Sequence, residues 1–155
     1  MLEIERKFLV DDLTNCLKEA KASFSIFQGY LSNDPARTVR LRIRNKQAFL
    51  TLKGASSDDG TTRVEWEKEI SIEDAKALLP LCLPDSIQKT RYHVSYKQNL
   101  FEVDVFEKNL EGLVIAEVEL KNANQEIELP DWIGKEVTGD KRYYNSYMAT
   151  HGIPD

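Results

Sequence analysis

The stretch Glu3-Ile4-Glu5-Arg6-Lys7 begins the chain with a strict alternation of side chains. Successive side chains of a β-strand point to opposite faces, so the two glutamates and Lys7 share one face, opposite Ile4 and Arg6. The stretch therefore predicts a strand with one fully charged face, which leaves Arg6 on the other side. Where that face points depends on the strands that follow.

The same alternation recurs along most of the chain and predicts about eight strands. The clearest segment is Val39-Arg40-Leu41-Arg42-Ile43-Arg44, in which every second residue is arginine. Other alternating segments lie near residues 26–31, 48–53, 63–70, 89–96, 101–106 and 116–120.

Few segments favour helices. Ser71 is a typical N-cap for a helix over residues 72–79 that Pro80 ends. Residues 11–22 predict a short helix, and residues 141–151 predict a C-terminal one. Residues 54–60 predict a flexible hairpin loop.

The composition is that of an ordinary folded protein. The chain has 155 residues, of which 41% are apolar and 30% are charged, so we expect one domain over residues 1–155. No apolar run approaches the roughly 18 residues of a membrane span, and the N-terminus is charged where a signal peptide is apolar. We therefore expect a cytoplasmic protein that does not bind membranes. Cys16 and Cys82 stand alone in the sequence and are expected to be idle thiols.

The charges occur in same-sign pairs along the strands. Arg40, Arg42 and Arg44 place three guanidinium groups on one face, roughly 7 Å apart. Carboxylates are paired in the same way at Glu3/Glu5, Glu65/Glu67, Glu102/Asp104 and Glu117/Glu119. On any single strand, the usual alternative is a solvated outer face. Taken together, these repelling pairs favour a shared site where divalent cations neutralise the carboxylates and a compact polyanion neutralises the arginines.

A closed sheet would bring these charges into one channel. We therefore expect a mainly β protein of the α+β type, a closed eight-stranded antiparallel β-barrel with a charged interior and a few flanking helices. Its outer face would be apolar, and the helices would cover it. Mg²⁺ and Mn²⁺ prefer oxygen ligands and keep bound waters, so either ion suits such carboxylates.

These residues resemble the CYTH superfamily, the triphosphate tunnel metalloenzymes. The opening stretch is similar to the ExExK signature of that family. The resemblance continues to the end of the chain in Gln28-Gly29-Tyr30-Leu31, Arg40/Arg42, Leu50-Thr51-Leu52-Lys53, Arg63-x-Glu65-x-Glu67, Lys89-Thr90-Arg91-Tyr92, Glu102-x-Asp104, Glu117-x-Glu119 and Asp140-Lys141-Arg142-Tyr143. It implies a barrel whose lumen binds triphosphate with Mg²⁺ or Mn²⁺.

The resemblance also implies roles for individual residues. The metal-binding carboxylates would be Glu3, Glu5, Glu117 and Glu119, supported by Glu65, Glu67 and Asp104. The phosphate-binding residues would be Lys7, Arg40, Arg42, Lys53, Lys89, Arg91 and Arg142, with Tyr30 as a further contact.

We expect Lys89, Lys53 and Glu5 to be catalytic. Lys89 has two readings, because a lysine among other cations has a lowered pKa and can activate water, or it can simply bind phosphate.

The implied reaction is metal-dependent hydrolysis of inorganic triphosphate to pyrophosphate and phosphate. Three alternatives remain: a class IV-type adenylate cyclase that acts on ATP, a thiamine triphosphatase, and a polyphosphate-binding module without catalysis. The first two need a pocket for an organic group, for which the sequence shows no dedicated aromatic or amide cluster. The net charge of −5 disfavours nucleic acid as a ligand. A homodimer is left open.

Overall fold

The alternating segments form nine β-strands in the computed structural model, which describes residues 2–155. Within those residues, no helix is both long and apolar enough to cross a membrane. The strands are β1 (Leu2–Val10), β2 (Ala20–Ser32), β3 (Arg37–Arg44), β4 (Gln47–Gly54), β5 (Thr62–Ile70), β6 (Ser86–Tyr96), β7 (Asn99–Phe106), β8 (Val114–Glu119) and β9 (Ile133–Glu136).

Eight of these strands close into an antiparallel barrel. Their order is β5-β4-β3-β2-β6-β7-β8-β1, and β1 pairs back onto β5 to complete the ring. This confirms the expected closed eight-stranded barrel. The ninth strand, β9, is an addition that the alternation did not predict, because it has only four residues and two of them are Gly134 and Lys135.

One edge of β1 is shared between two partners. Its first residues, Leu2 to Ile4, pair with β5, whereas Phe8 and Val10 pair with β9. Along its other edge, β1 pairs with β8 from Glu5 to Leu9. The barrel therefore has a seam beside Glu5 and Lys7, where β5 ends its contact and β9 begins.

The helices are shorter than the sequence predicted. They are α1 (Leu13–Leu17), α2 (Ile72–Leu78) and α3 (Asn145–His151), with single 3₁₀ turns at Leu79–Leu81, Lys108–Leu110 and Lys141–Tyr143. The prediction of a helix over residues 11–22 was too long, because β2 begins at Ala20 and pairs with β6 from there. Ser71 caps α2 as predicted, since its side chain accepts a hydrogen bond from the Asp74 amide.

The main apolar core lies outside the ring of strands. Phe8, Val103 and Val118 point outward and pack with Cys16 of α1 and with Trp132. On another side, α2 covers Leu41 and Ala48 through Ala75. Burying a Val, Leu or Phe side chain contributes about 1.5–3 kcal/mol, so the outer face provides the hydrophobic stabilisation. Most of the inner face is left for charged residues.

Candidate active site

One charged cavity of about 400 Å³ occupies the lumen. Side chains from all eight barrel strands, β1 to β8, line it, because their inward positions alternate with the outward apolar ones. The expected site residues that line it are Glu3, Glu5, Lys7, Tyr30, Arg40, Arg42, Lys53, Glu65, Glu67, Lys89, Arg91, Glu117 and Glu119. Asp104 and Arg142, which were also expected, are not among the lining residues.

The carboxylates on one side of the lumen are paired with one another. Glu3 is hydrogen-bonded to Glu65, and Glu5 is hydrogen-bonded to Glu117. Burial and the bond to Glu3 raise the pKa of Glu65 to about 7. Burial, together with the charges of Glu117 and Glu3, raises the pKa of Glu5 well above its usual range. Each pair therefore shares a proton, because two neighbouring buried carboxylates cannot both ionise cheaply.

The same pairs fit a divalent cation. Carboxylate oxygens are the ligands that Mg²⁺ and Mn²⁺ prefer, and a cation would replace the shared protons. Within residues 2–155, no three acidic, histidine or cysteine residues converge as a ready-made metal site. A bound ion would thus take a few carboxylates directly and complete its shell with waters and phosphate oxygens, as Mg²⁺ commonly does.

Lys53 connects the carboxylates to the cations. Its Nζ lies 3.2 Å from a carboxylate oxygen of Glu3 and 3.4 Å from one of Glu65. The lysine thereby offsets part of the negative charge that the two glutamates concentrate. It occupies the boundary between the two kinds of charge in the lumen.

Two arginines on β3 line the cavity and are only partly paired. Both share Glu67, at 3.4 Å from Arg40 and 3.3 Å from Arg42. Burial and the nearby Arg40 and Arg91 lower the pKa of Arg42 to about 10. The buried Nε of each arginine finds no acceptor in the part of the chain that the structure describes. A buried unpaired donor is costly, so both guanidinium groups are suited to an anion that brings acceptor oxygens.

The innermost cations are held by Asp104, a residue that we expected to support metal binding. Asp104 is fully buried and accepts hydrogen bonds from Lys89 Nζ at 2.7 Å and from Arg91 at 2.7 and 2.9 Å. Burial opposes its ionisation, but Arg91 and Lys89 outweigh that effect and lower its pKa. Asp104 is therefore a counter-ion of two phosphate-binding candidates. It is not placed among the carboxylates that could bind metal.

Arg142 lies outside the cavity lining, so its phosphate-binding role stays a prediction. Arg142 lies in the 3₁₀ turn Lys141–Tyr143, which buries Tyr143 and leaves the arginine exposed. Its guanidinium group pairs at 2.7 Å with Asp140, whose carboxylate also accepts the backbone N–H of Arg142. This local cap holds the side chain away from the cavity, and sequence spacing could not reveal that direction.

The C-terminal segment supplies site residues that the sequence analysis missed. The carbonyl of Tyr143 accepts a hydrogen bond from Lys7 Nζ at 3.1 Å, and Asn145 Oδ1 accepts one from Lys89 Nζ at 2.9 Å. Ser56, Arg63 and Tyr144 also line the cavity. Arg63 could have been found, because it shares the alternation phase of Glu65. The C-terminal residues had no such signal, since tertiary folding alone brings them to the lumen.

The chain is similar in sequence to one protein family and to proteins that have been named. A family model described as the CYTH domain matches residues 1–149. A protein named inorganic triphosphatase from Acetivibrio thermocellus is 43% identical over 148 residues, which cover 95% of this chain and 92% of that protein. A protein of the same name from Nitrosomonas europaea is 38% identical over 154 residues, with coverages of 96% and 97%.

Solved structures show the same fold. The crystal structure of an inorganic triphosphatase matches with a TM-score of 0.66 and 35% identity, covering 95% of this chain and 97% of that one. A Hippeastrum protein, described as a putative adenylyl cyclase with a dominant triphosphatase activity, matches with a TM-score of 0.64 over 77% of this chain and 80% of that one. At 15% identity, the second match shows a shared fold alone.

Proposed function

This chain belongs to the CYTH family, as the sequence resemblance predicted, and on that premise we propose that it hydrolyses inorganic triphosphate to pyrophosphate and phosphate. One observation carries the proposal: a single lumen holds a cluster of paired carboxylates beside a cluster of cations. The relatives from Acetivibrio and Nitrosomonas, both named inorganic triphosphatase, support this substrate.

The cations would hold the phosphate chain. Arg40 and Arg42 line the cavity, and guanidinium groups bind phosphate oxygens from fixed directions. Lys7 and Lys53 project from other strands, so an anion between them is contacted from several sides. Such positioning reduces the entropy lost on reaching the transition state and stabilises charge on the transferred group.

The metal would be Mg²⁺ or Mn²⁺, held directly by a few of the carboxylates Glu3, Glu5, Glu65 and Glu117 and otherwise by waters and phosphate oxygens. When bound there, it supplies positive charge to the phosphate oxygens and several kcal/mol of transition-state stabilisation. Glu5 lies where the two clusters meet, because its pKa responds to Glu117 and Glu3 and also to Lys7 and Lys53. We therefore keep Glu5 and Lys53 as proposed catalytic residues. Glu67 and Glu119 are more exposed and would act from the rim.

Lys89 is proposed to bind phosphate, not to activate water. A lysine ammonium has three protons and no lone pair. Asp104 and Asn145 each accept one hydrogen bond from the ammonium group, which leaves its third N–H for a phosphate oxygen. Burial, partly offset by Asp104, lowers its pKa only to about 8, so the group is mainly charged at pH 7. Tyr30 OH accepts from Gln28 Nε2 at 2.9 Å, which leaves its proton available for the same anion.

A pH–rate comparison of wild type and Lys89→Ala tests this role. We expect an increase in KM and an unchanged basic limb of the kcat profile, because binding and not proton transfer is lost. A basic limb that disappears in the variant would restore the base role for Lys89.

A substrate panel tests the proposed function. Purified protein is incubated with inorganic triphosphate, ATP or thiamine triphosphate, with Mg²⁺, Mn²⁺ or a chelator, and every product is identified. We expect equal amounts of pyrophosphate and phosphate from inorganic triphosphate, only when metal is present. Cyclic AMP from ATP, or phosphate mainly from thiamine triphosphate, would overturn the proposed substrate. Binding without turnover of any substrate would indicate a binding module.

A further inference from the structure

We propose that the lumen is a blind pocket that binds a phosphate chain by an unsubstituted terminal phosphoryl group, with Tyr144 as the residue that excludes a substituent there. This inference rests on the proposed function and deepens it, since it says which part of the ligand lies innermost. It also predicts which phosphate esters the protein can accept.

The inner surface changes from charged to apolar at one level. Lys89, Asp104 and Glu117 point inward from β6, β7 and β8. The next inward position of each strand, two residues away, carries an apolar side chain. These are Ile87, Phe106 and Ile115, each at most 2% exposed. They belong to one cluster with Tyr143 and Met148 of the C-terminal segment. This cluster forms an apolar floor beneath the innermost cations. In this proposal, the floor closes the lumen at that end.

Tyr144 lies beside two other cations of the lumen, Lys7 and Arg63. Its ring centroid is 5.4 Å from Lys7 Nζ and 5.6 Å from Arg63 Cζ, within the range of cation–π contact. Its hydroxyl and the Ser56 hydroxyl are 2.8 Å apart and share a hydrogen bond. The hydrogen bond to Ser56 thus ties the Tyr144 ring to the loop between β4 and β5. Tyr144 and Ser56 both line the cavity.

Backbone contact closes the side wall beside Tyr144. A Cβ atom added to Gly60 would lie 2.1 Å from Gly139 Cα, so the two backbones meet where only glycine fits. Both residues have positive φ, 77° for Gly60 and 79° for Gly139, which glycine adopts without strain. The contact lies at the seam of the barrel, where β1 passes from β5 to β9. It joins the loop between β4 and β5 to the turn before the C-terminal segment.

The opposite end is the entrance. Glu119 is exposed there and the side chain of Glu102 is 36% exposed, whereas the Lys89 side chain is 2% exposed. A phosphate chain that enters past these rim carboxylates reaches the inner cations with its leading phosphoryl group. An added group on that phosphoryl would meet the ring of Tyr144 and the floor. A group on the trailing phosphoryl would extend toward the entrance.

The test compares two methyl esters of imidotriphosphate, whose bridging NH groups resist hydrolysis. One ester is methylated at one end and the other at both ends, and calorimetry with Mg²⁺ gives the affinity of each. In wild type, we expect the doubly methylated ester to bind roughly 10- to 100-fold more weakly, since one methyl group changes affinity by about that factor in a tight pocket. In Tyr144→Ala, this ratio falls toward one. If Tyr144→Ala does not unfold cooperatively, Tyr144→Val is measured instead.

Two further variants separate the ring from its surroundings. Ser56→Ala removes the hydrogen bond but keeps the ring, so we expect a smaller fall in the ratio. Tyr147→Ala is the matched control, because Tyr147 is 39% exposed and stacks on His151 away from the cavity. Equal binding of both esters by wild type, or an unchanged ratio in the Tyr144 variant, overturns the proposal. These are binding results, so a wild type without turnover would refute the proposed function separately.

Discussion

The carboxylates of the lumen and the buried cations beside Asp104 differ in how their charge is balanced. Lys89 and Arg91 have their own counter-ion in Asp104, which the fold supplies. Glu5 and Glu65 lie beside other carboxylates, and burial and those neighbours raise their pKa values although nearby cations oppose the shift. The charges of Lys89 and Arg91 are thus balanced by the protein itself, whereas the acidic cluster is suited to an added cation. Replacing a carboxylate by an amide should therefore have different effects on stability and activity in the two regions.

Asp104→Asn should have the largest effect, and it should act on stability. It leaves Lys89 and Arg91 buried without their shared counter-ion. Breaking a buried ion pair in this way costs about 3–5 kcal/mol. We expect the free energy of unfolding, from urea denaturation at pH 7, to fall by that amount. A loss below about 1 kcal/mol would show that the cations do not depend on Asp104.

Glu5→Gln should instead remove activity and spare stability. The amide relieves repulsion with Glu117 and Glu3, so the metal-free protein should unfold at the same urea concentration or a higher one. Because a metal contributes several kcal/mol at the transition state, we expect kcat/KM for triphosphate to fall about 100- to 1000-fold. Full activity in this variant would remove Glu5 from the proposed site.

The pH dependence of stability should reveal the shared proton of Glu65. Its folded pKa of about 7 lies above the unfolded value of 4.5, so the folded state keeps a proton that the unfolded chain releases. This contribution is full below pH 4.5 and is lost as the pH rises toward 7. We expect metal-free wild type to lose stability over that window more steeply than Glu65→Gln. Parallel curves for the two proteins would contradict the raised pKa.

Arg142→Ala should have the smallest effect. Its side chain is exposed and pairs with Asp140, so kcat/KM should change by less than about twofold, as for most surface substitutions. A large increase in KM would return Arg142 to the phosphate site. The variant also serves as a control for the other substitutions.

The alternation of charges predicted the barrel and most of the cavity lining, because strand geometry decides which residues share a face. It predicted Arg40 and Glu117 inward for the same reason that it predicted Leu41 and Val118 outward. Asp104 shares the inward phase, but alternation cannot show that its carboxylate would be taken up by Lys89 and Arg91. The single domain over residues 1–155 and the catalytic roles stay predictions.

The sequence alone could not predict the apolar floor of the lumen. Ile87 and Phe106 continue the inward phase of their strands, but only the docking of α3 turns them into a floor. Asn145 reaches Lys89 across 56 positions of the chain, and no local pattern connects the two. Local alternation therefore shows the walls of the cavity, and tertiary packing decides where it ends.

Metal binding by the carboxylate cluster is the central claim, and Mn²⁺ titration tests it most directly. Free Mn²⁺ is measured by electron paramagnetic resonance in the presence of imidotriphosphate for wild type, Glu5→Gln and Arg142→Ala. Loss of one such interaction commonly lowers metal affinity about 10- to 100-fold, which we expect for Glu5→Gln and not for Arg142→Ala. Equal Mn²⁺ affinity in wild type and Glu5→Gln would contradict the account.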